Sequence, residues 1–195
     1  MILDHCQGAA AVVRGSGSGR ADGTAALVRQ LVEEVEAPLV VDADALSLLG
    51  DDPGPIATRA HPTVITPHPG EMALLLGREP AAVEAQRLGS AVEEAARTEA
   101  VVVLKGDDSI VAGSGGIAID DLEAPGLATA GTGDVLAGVC GAFLARGLDP
   151  FDAAAAAVFV HARAGRIAAG RVGSTDGMIA SDVVEALPEA IGPLP

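Results

Sequence analysis

The sequence predicts an α/β fold: a mostly parallel sheet covered by helices on both faces. Two patterns in the 195 residues carry this. Short apolar runs alternate with longer stretches of helical periodicity. The runs are also continuously apolar rather than alternating, as strands buried on both faces must be. With 49% hydrophobic and 20% charged residues, the chain reads as one globular domain able to bury a sizeable core.

The expected strands are Ala11-Val12-Val13, Leu39-Val40-Val41, Val64-Ile65 and Val101-Val102-Val103-Leu104. From Asp22 to Glu36 the apolar residues Leu27, Val28, Leu31, Val32 and Val35 share one helical face, with Asp22 as N-cap. A second helix is expected from Pro80 to Thr98, with proline at its start. Ser109 to Ala112, a turn at Gly113 to Gly116, and Ile117 to Ile119 read as a β-hairpin. A helix from Thr132 to about Arg146 follows, then one from Pro150 to about Ala169, and a last one capped by Ser181-Asp182.

Composition excludes several classes. The net charge is −15, and Trp and Tyr are absent. A duplex binder needs a basic face and a single-strand reader needs stacking rings, so no nucleic-acid partner is expected. Lys105 is the one lysine among twelve basic residues, a bias that a salty cytoplasm and an arginine-rich codon usage explain equally well. Cys6 and Cys140 form no metal or disulfide pattern. The N-terminus has no signal-peptide pattern and no apolar run is of membrane-spanning length, so the expected location is cytoplasmic, without a membrane partner.

Five segments carry candidate chemistry. In Ala128-Thr129-Ala130-Gly131-Thr132-Gly133-Asp134, two glycines before an apolar helix let backbone amides converge on one anion, best a phosphate. Asp134 beside them serves either as a helix-start carboxylate or as a base toward a substrate hydroxyl. In Thr66-Pro67-His68-Pro69-Gly70-Glu71, two prolines fix His68 on a strand-end loop, and Glu71 opens the next helix. In Lys105-Gly106-Asp107-Asp108-Ser109, the lysine reads as a needed compact, flexible ammonium or as an ordinary strand-end charge, and Gly106 would admit a ligand to the backbone. Gly15-Ser16-Gly17-Ser18-Gly19 resembles a dinucleotide loop without the full glycine spacing. Asp42 and Asp44, also at a strand end, could orient a ligand or approach magnesium, while Asp44 could equally cap the short helix that follows.

Taken in order, these segments resemble the ADP-dependent NAD(P)H-hydrate dehydratase family, a branch of the ribokinase-like fold. The stretches that carry the resemblance are PLVVDADAL (38–46), VITPHPGEM (64–72), VVVLKG (101–106), PGLATAGTGDVLAG (125–138) and ASDVVEALPEAI (180–191). The resemblance implies a three-layer fold and phosphoryl transfer from ADP or ATP to the ring hydroxyl of hydrated NADH or NADPH (NADHX, NADPHX). Loss of phosphate would then restore NADH or NADPH, with Mg2+ neutralising the transferring phosphates. Asp134 would be the base and a substrate contact, with His68 and Gly17 touching the hydrated nucleotide. Lys105, Gly106, Ser109 and the turn Thr129, Ala130, Gly131, Thr132, Gly133 would hold the adenine nucleotide. Glu71 would reach the metal through water, and a homo-oligomer is implied.

Two departures from the family pattern stand out. Strands that usually precede the Gly15 segment have no counterpart, so the expectation is an N-terminally incomplete domain over 1–195, either a short chain or one whose Met1 is a mis-assigned start. The family's G-P-G-L-G loop is replaced by Gly15 to Gly19, which bears on Gly17. Two alternatives stay open: a ribokinase-like kinase of a thiazole or pyrimidine alcohol, and a nucleotide-binding remnant without turnover.

Overall fold

Among the described residues, six strands form one sheet in the order in which the chain makes them. The computed structural model describes residues 2–17, 19 and 23–192. After a short helix α1 (Ile2–Cys6), strands β1 (Val12–Arg14), β2 (Leu39–Val41), β3 (Thr63–Ile65) and β4 (Val101–Leu104) run parallel. Strands β5 (Ile110–Gly113) and β6 (Gly116–Ile119) complete the sheet as an antiparallel hairpin.

This order decides where the helices go. Parallel strands laid down side by side in one direction, through right-handed crossovers, put every connecting helix on the same face. That face carries α2 (Thr24–Glu34), α3 (Ala43–Leu49), α4 (Gly54–Ala57), α5 (Pro69–Leu76), α6 (Pro80–Ala85) and α7 (Arg87–Thr98). The opposite face would be bare without α8 (Thr132–Ala145), α9 (Pro150–Val172) and α10 (Ala180–Ile191), which follow the hairpin and cover it. Strand alternation divides the core accordingly. Leu39, Val41, Ile65, Val102 and Leu104 pack under the crossover helices, and Val40, Val64, Val101 and Val103 under α8 to α10. The result is a three-layer α/β/α sandwich.

Small residues let the second layer lie close. A Cβ on Gly141 of α8 would collide with Cγ2 of Val13, and one on Gly165 of α9 would lie 2.7 Å from Cγ of Leu127. Leu127 ends a short 3-10 turn, Pro125–Leu127, so this contact seats the segment that leads into α8.

Several expectations are corrected. The helix expected from Pro80 to Thr98 is two, because Gln86 leaves helical geometry at φ −140, ψ 46. The last helix starts at Ala180, so Ser181-Asp182 lie inside it. There Asp182 accepts the Ile179 N–H at 2.8 Å from the third helical position. The Asp22 cap lies outside the described residues, and α2 opens after Gly23 at φ 87. Burial on both faces holds for β2, β3 and β4 but not for β1, whose Val13 is exposed; at the other edge of the sheet, Ile117 and Ile119 of β6 are exposed as well. Among the described residues, no helix is long and apolar enough to cross a membrane.

Candidate functional site

The carboxyl ends of the parallel strands and the N-terminus of α8 meet at one end of the sheet, where open α/β sheets take ligands. The strand order brings the Gly15 loop, Asp42, His68 and Lys105 there, one from each of the four parallel strands. Backbone bonds continue the ladder past the strands: Asp42 N–H donates to Arg14 O, Thr66 N–H to Val41 O and Lys105 N–H to Pro67 O.

At the start of α8, Gly131 adopts φ 88, a left-handed conformation that glycine takes without strain. Thr132 locks the turn by pointing its hydroxyl at the carbonyls of Leu127 and Thr129, 2.6 and 2.7 Å away. The next backbone donor to find a partner is Val135, bonded to Gly131 O. The N–H groups of Gly133 and Asp134 therefore have no acceptor among the described residues. Two unused amides at the positive end of a helix form an anion cradle. Asp134 is exposed and accepts a hydrogen bond from the Ser16 hydroxyl at 2.7 Å. The glycine loop after β1 thus holds the carboxylate beside the cradle.

A cavity of about 740 Å³ opens against this turn. Of the expected nucleotide residues, Lys105, Gly106, Ser109, Thr129, Ala130, Thr132 and Gly133 lie on its wall. Gly131 is not part of the lining. Neither are Gly17 and Asp134, whereas His68 is. His68 thus lies on the cavity wall and Gly17 and Asp134 off it.

Local bonds explain how His68 is held. It is the N-cap of α5, and its Nδ1 accepts the N–H groups of Gly70 and Glu71 at 3.0 and 3.2 Å. Glu71 reciprocates by accepting the His68 N–H at 2.8 Å. The same bonds define the setting of Glu71, expected to reach a metal through water: it is 6% exposed, its carboxylate is engaged by His68 and lies 3.7 Å from Lys105 Nζ. Among the described residues, no group of three or more His, Cys, Asp or Glu side chains is arranged for a metal ion.

Lys105 is also less free than expected. Its ammonium sits 2.7 Å from Oδ1 of Asp42, a carboxylate only 2% exposed. It remains near the cradle, since a Cβ on Gly133 would lie 3.6 Å from Nζ. Asp42, not Asp44, occupies the cap position of α3, although its side chain makes no capping bond. Gly106 admits no ligand on its Cβ side, where a side chain would overlap the Arg87 guanidinium.

The sequence reading missed His161 of α9, which is 8% exposed, lines the cavity and has an Nε2 without a partner. Burial holds its imidazole down at about 4, against an upward pull from the Thr132 backbone and with the Lys105 charge adding to the lowering. It stays neutral at ordinary pH. Its signal was a lone polar residue on the apolar face shared with Val158 and Ala162. Cys140 is no candidate nucleophile, because burial pushes its thiol up to about 12.

Comparison with known proteins follows this geometry. The family model described as NAD(P)H-hydrate dehydratase matches residues 2–189. The chain is 45% identical over 192 residues to the bifunctional NAD(P)H-hydrate repair enzyme of Salinibacter ruber, covering 96% of this chain and 34% of that protein. It is 42% identical over 186 residues to the ADP-dependent (S)-NAD(P)H-hydrate dehydratase of Xanthomonas campestris, covering 95% and 62%. It superposes with a TM-score of 0.82 on the ADP/ATP-dependent NAD(P)H-hydrate dehydratase of Bacillus subtilis co-crystallised with ATP and Mg2+, at 28% identity and covering 92% and 63%. The chain thus spans between a third and just under two thirds of these relatives. By the family model, by these relatives and by its ribokinase-like architecture, the chain belongs to the NAD(P)H-hydrate dehydratase family.

Proposed function

We propose that this chain restores NADH and NADPH from their hydrates, NADHX and NADPHX, at the expense of ADP or ATP. The observation that carries the reading is the α8 turn: unused amides of Gly133 and Asp134 beside a nucleotide-sized cavity on one side, and the Asp134 carboxylate held by Ser16 on the other. A phosphoryl group seated on those amides faces both compartments.

In this reading the adenine nucleotide occupies the cavity against Lys105, Gly106 and Ser109, its phosphates on Thr129 to Gly133. Asp134 takes the proton of the ring hydroxyl, whose oxygen bonds to the terminal phosphorus as the phosphoanhydride breaks. ADP leaves as AMP. Hydroxide is a poor leaving group, whereas the phosphate ester departs readily with the C–O electrons and, with loss of a ring proton, the double bond returns. Gly17 contacts the hydrate, while His68, on the cavity wall, reaches it only where the two ligands meet. Magnesium is held mostly by substrate phosphates in such sites and neutralises their charge when bound. That fits a site where the nearby carboxylates Asp42 and Glu71 are already engaged by Lys105. The protein works in the cytoplasm as a homo-oligomer, for which the exposed apolar edges at Val13 and at Ile117 and Ile119 provide surface.

Incubation with NADH hydrate, ADP and magnesium tests this. Recovered absorbance of reduced nicotinamide with matching AMP supports it. A phosphorylated thiazole or pyrimidine alcohol without that recovery favours the kinase. Stabilisation by ADP without turnover marks a binding remnant; saturating ADP at a hundred times its Kd adds about 2.7 kcal/mol.

A further inference from the structure

The turn from Lys105 to Ser109 is gripped from behind by Arg87, a residue outside the stretches that carry the family resemblance. Nη2 of Arg87 donates to the Asp108 carbonyl at 2.9 Å and Nη1 to the Lys105 carbonyl at 3.3 Å. Nε lies 3.2 Å from Oδ1 of Asp108. One planar group thus spans both ends of a turn that has no regular structure of its own. An ammonium, a single compact charge, cannot reproduce that fork. The side chain is 16% exposed, and the break at Gln86 starts α7 with Arg87 facing the turn. A Cβ on Gly106 would come within 2.6 Å of Arg87 Cζ, so glycine there admits the guanidinium. On the opposite side, Gly106, Asp107 and Ser109 form cavity wall.

We propose that Arg87 is a positioning residue that holds this turn in its nucleotide-binding shape, an inference that rests on the reading of the cavity as the ADP or ATP site. Arg87 touches no reacting atom. Its effect is preorganisation: without the fork, binding a nucleotide must first order the turn. The loss falls on nucleotide affinity and leaves the chemical step alone.

The test uses the full chain with Arg87→Met, Arg87→Lys, Gly106→Ala and the double variant Arg87→Met/Gly106→Ala. ADP affinity is measured by calorimetry, alongside steady-state kinetics and the ligand-free melting temperature. Expected is an ADP Kd and KM raised about tenfold in each single variant, lysine included, with kcat and the KM for NADH hydrate within about twofold. The double variant is expected to be no worse than the weaker single one, because both changes break the same contact. An Arg87→Met affinity for ADP equal to the parent's overturns the clamp alone. A joint fall of kcat, both KM values and melting temperature marks a merely structural arginine and also overturns it. A parent protein that binds no ADP overturns the nucleotide reading and the clamp together.

Discussion

Lys105 Nζ lies 2.7 Å from Oδ1 of Asp42, joining the ends of β4 and β2 across β3. With Glu71 at 3.7 Å, the chain's one lysine serves two nearly buried carboxylates. It is the counter-ion of this end of the sheet before it is a contact for any ligand.

Removing it should therefore cost folding as well as binding. Lys105→Met leaves Asp42 and Glu71 buried without a cation, a loss of about 3 kcal/mol or more in urea unfolding. Adding Asp42→Asn should return part of that stability, while ADP affinity stays low in both variants. A single variant with the parent's urea midpoint would show that the pair contributes nothing to the fold.

His161 sets an acid-side dependence. Its folded pKa is about 4 against an ordinary 6.5. Above 6.5 both folded and unfolded states are neutral and the residue adds no pH term. As pH falls from 6.5 toward 4, the unfolded chain takes a proton that the buried ring refuses, so stability declines. Between pH 7.5 and 5 this amounts to about 2 kcal/mol. His161→Leu should flatten the urea-derived stability profile across that window by this amount. Parallel profiles for parent and variant would refute the assignment.

The approach of α8 to β1 depends on Gly141, where a Cβ meets Val13. Gly141→Ala should lower stability by about 1 to 3 kcal/mol through overpacking. Val13→Ala in the same chain should recover much of it, since Val13 is the obstructing side chain. Thermal unfolding of the single and double variants reads this, and equal melting temperatures would show that the layer yields without strain.

Legibility in the sequence followed the range of the interactions. Strands β2, β3 and β4 were readable because burial on both faces makes their residues uniformly apolar. The edge strands β1 and β6 were readable as strands too, but the exposure of Val13 was not, because edge exposure depends on neighbours that the sequence does not name. The break at Gln86 was missed, since alanine and glutamate favour helix on either side of it. In the site, the Gly131 to Asp134 turn was visible, as was the strand-end loop from His68 that opens a helix at Glu71, whereas the capping role of His68 was not. The Lys105 to Asp42 pair spans 63 residues and the Ser16 to Asp134 bond 118, and only the parallel crossover order brings them together. Arg87 carried no candidate role in the sequence, and Gly106 read as a ligand's doorway rather than the guanidinium's seat.

The central claim is that a phosphoryl group on the Gly133 and Asp134 amides is attacked by a hydroxyl that the Asp134 carboxylate deprotonates. Single-turnover repair of NADH hydrate by Asp134→Asn, with ADP affinity measured on the same preparation, tests it most directly. The account predicts ADP binding close to the parent's and turnover reduced by about 10² to 10⁴. Turnover near the parent's rate would contradict it.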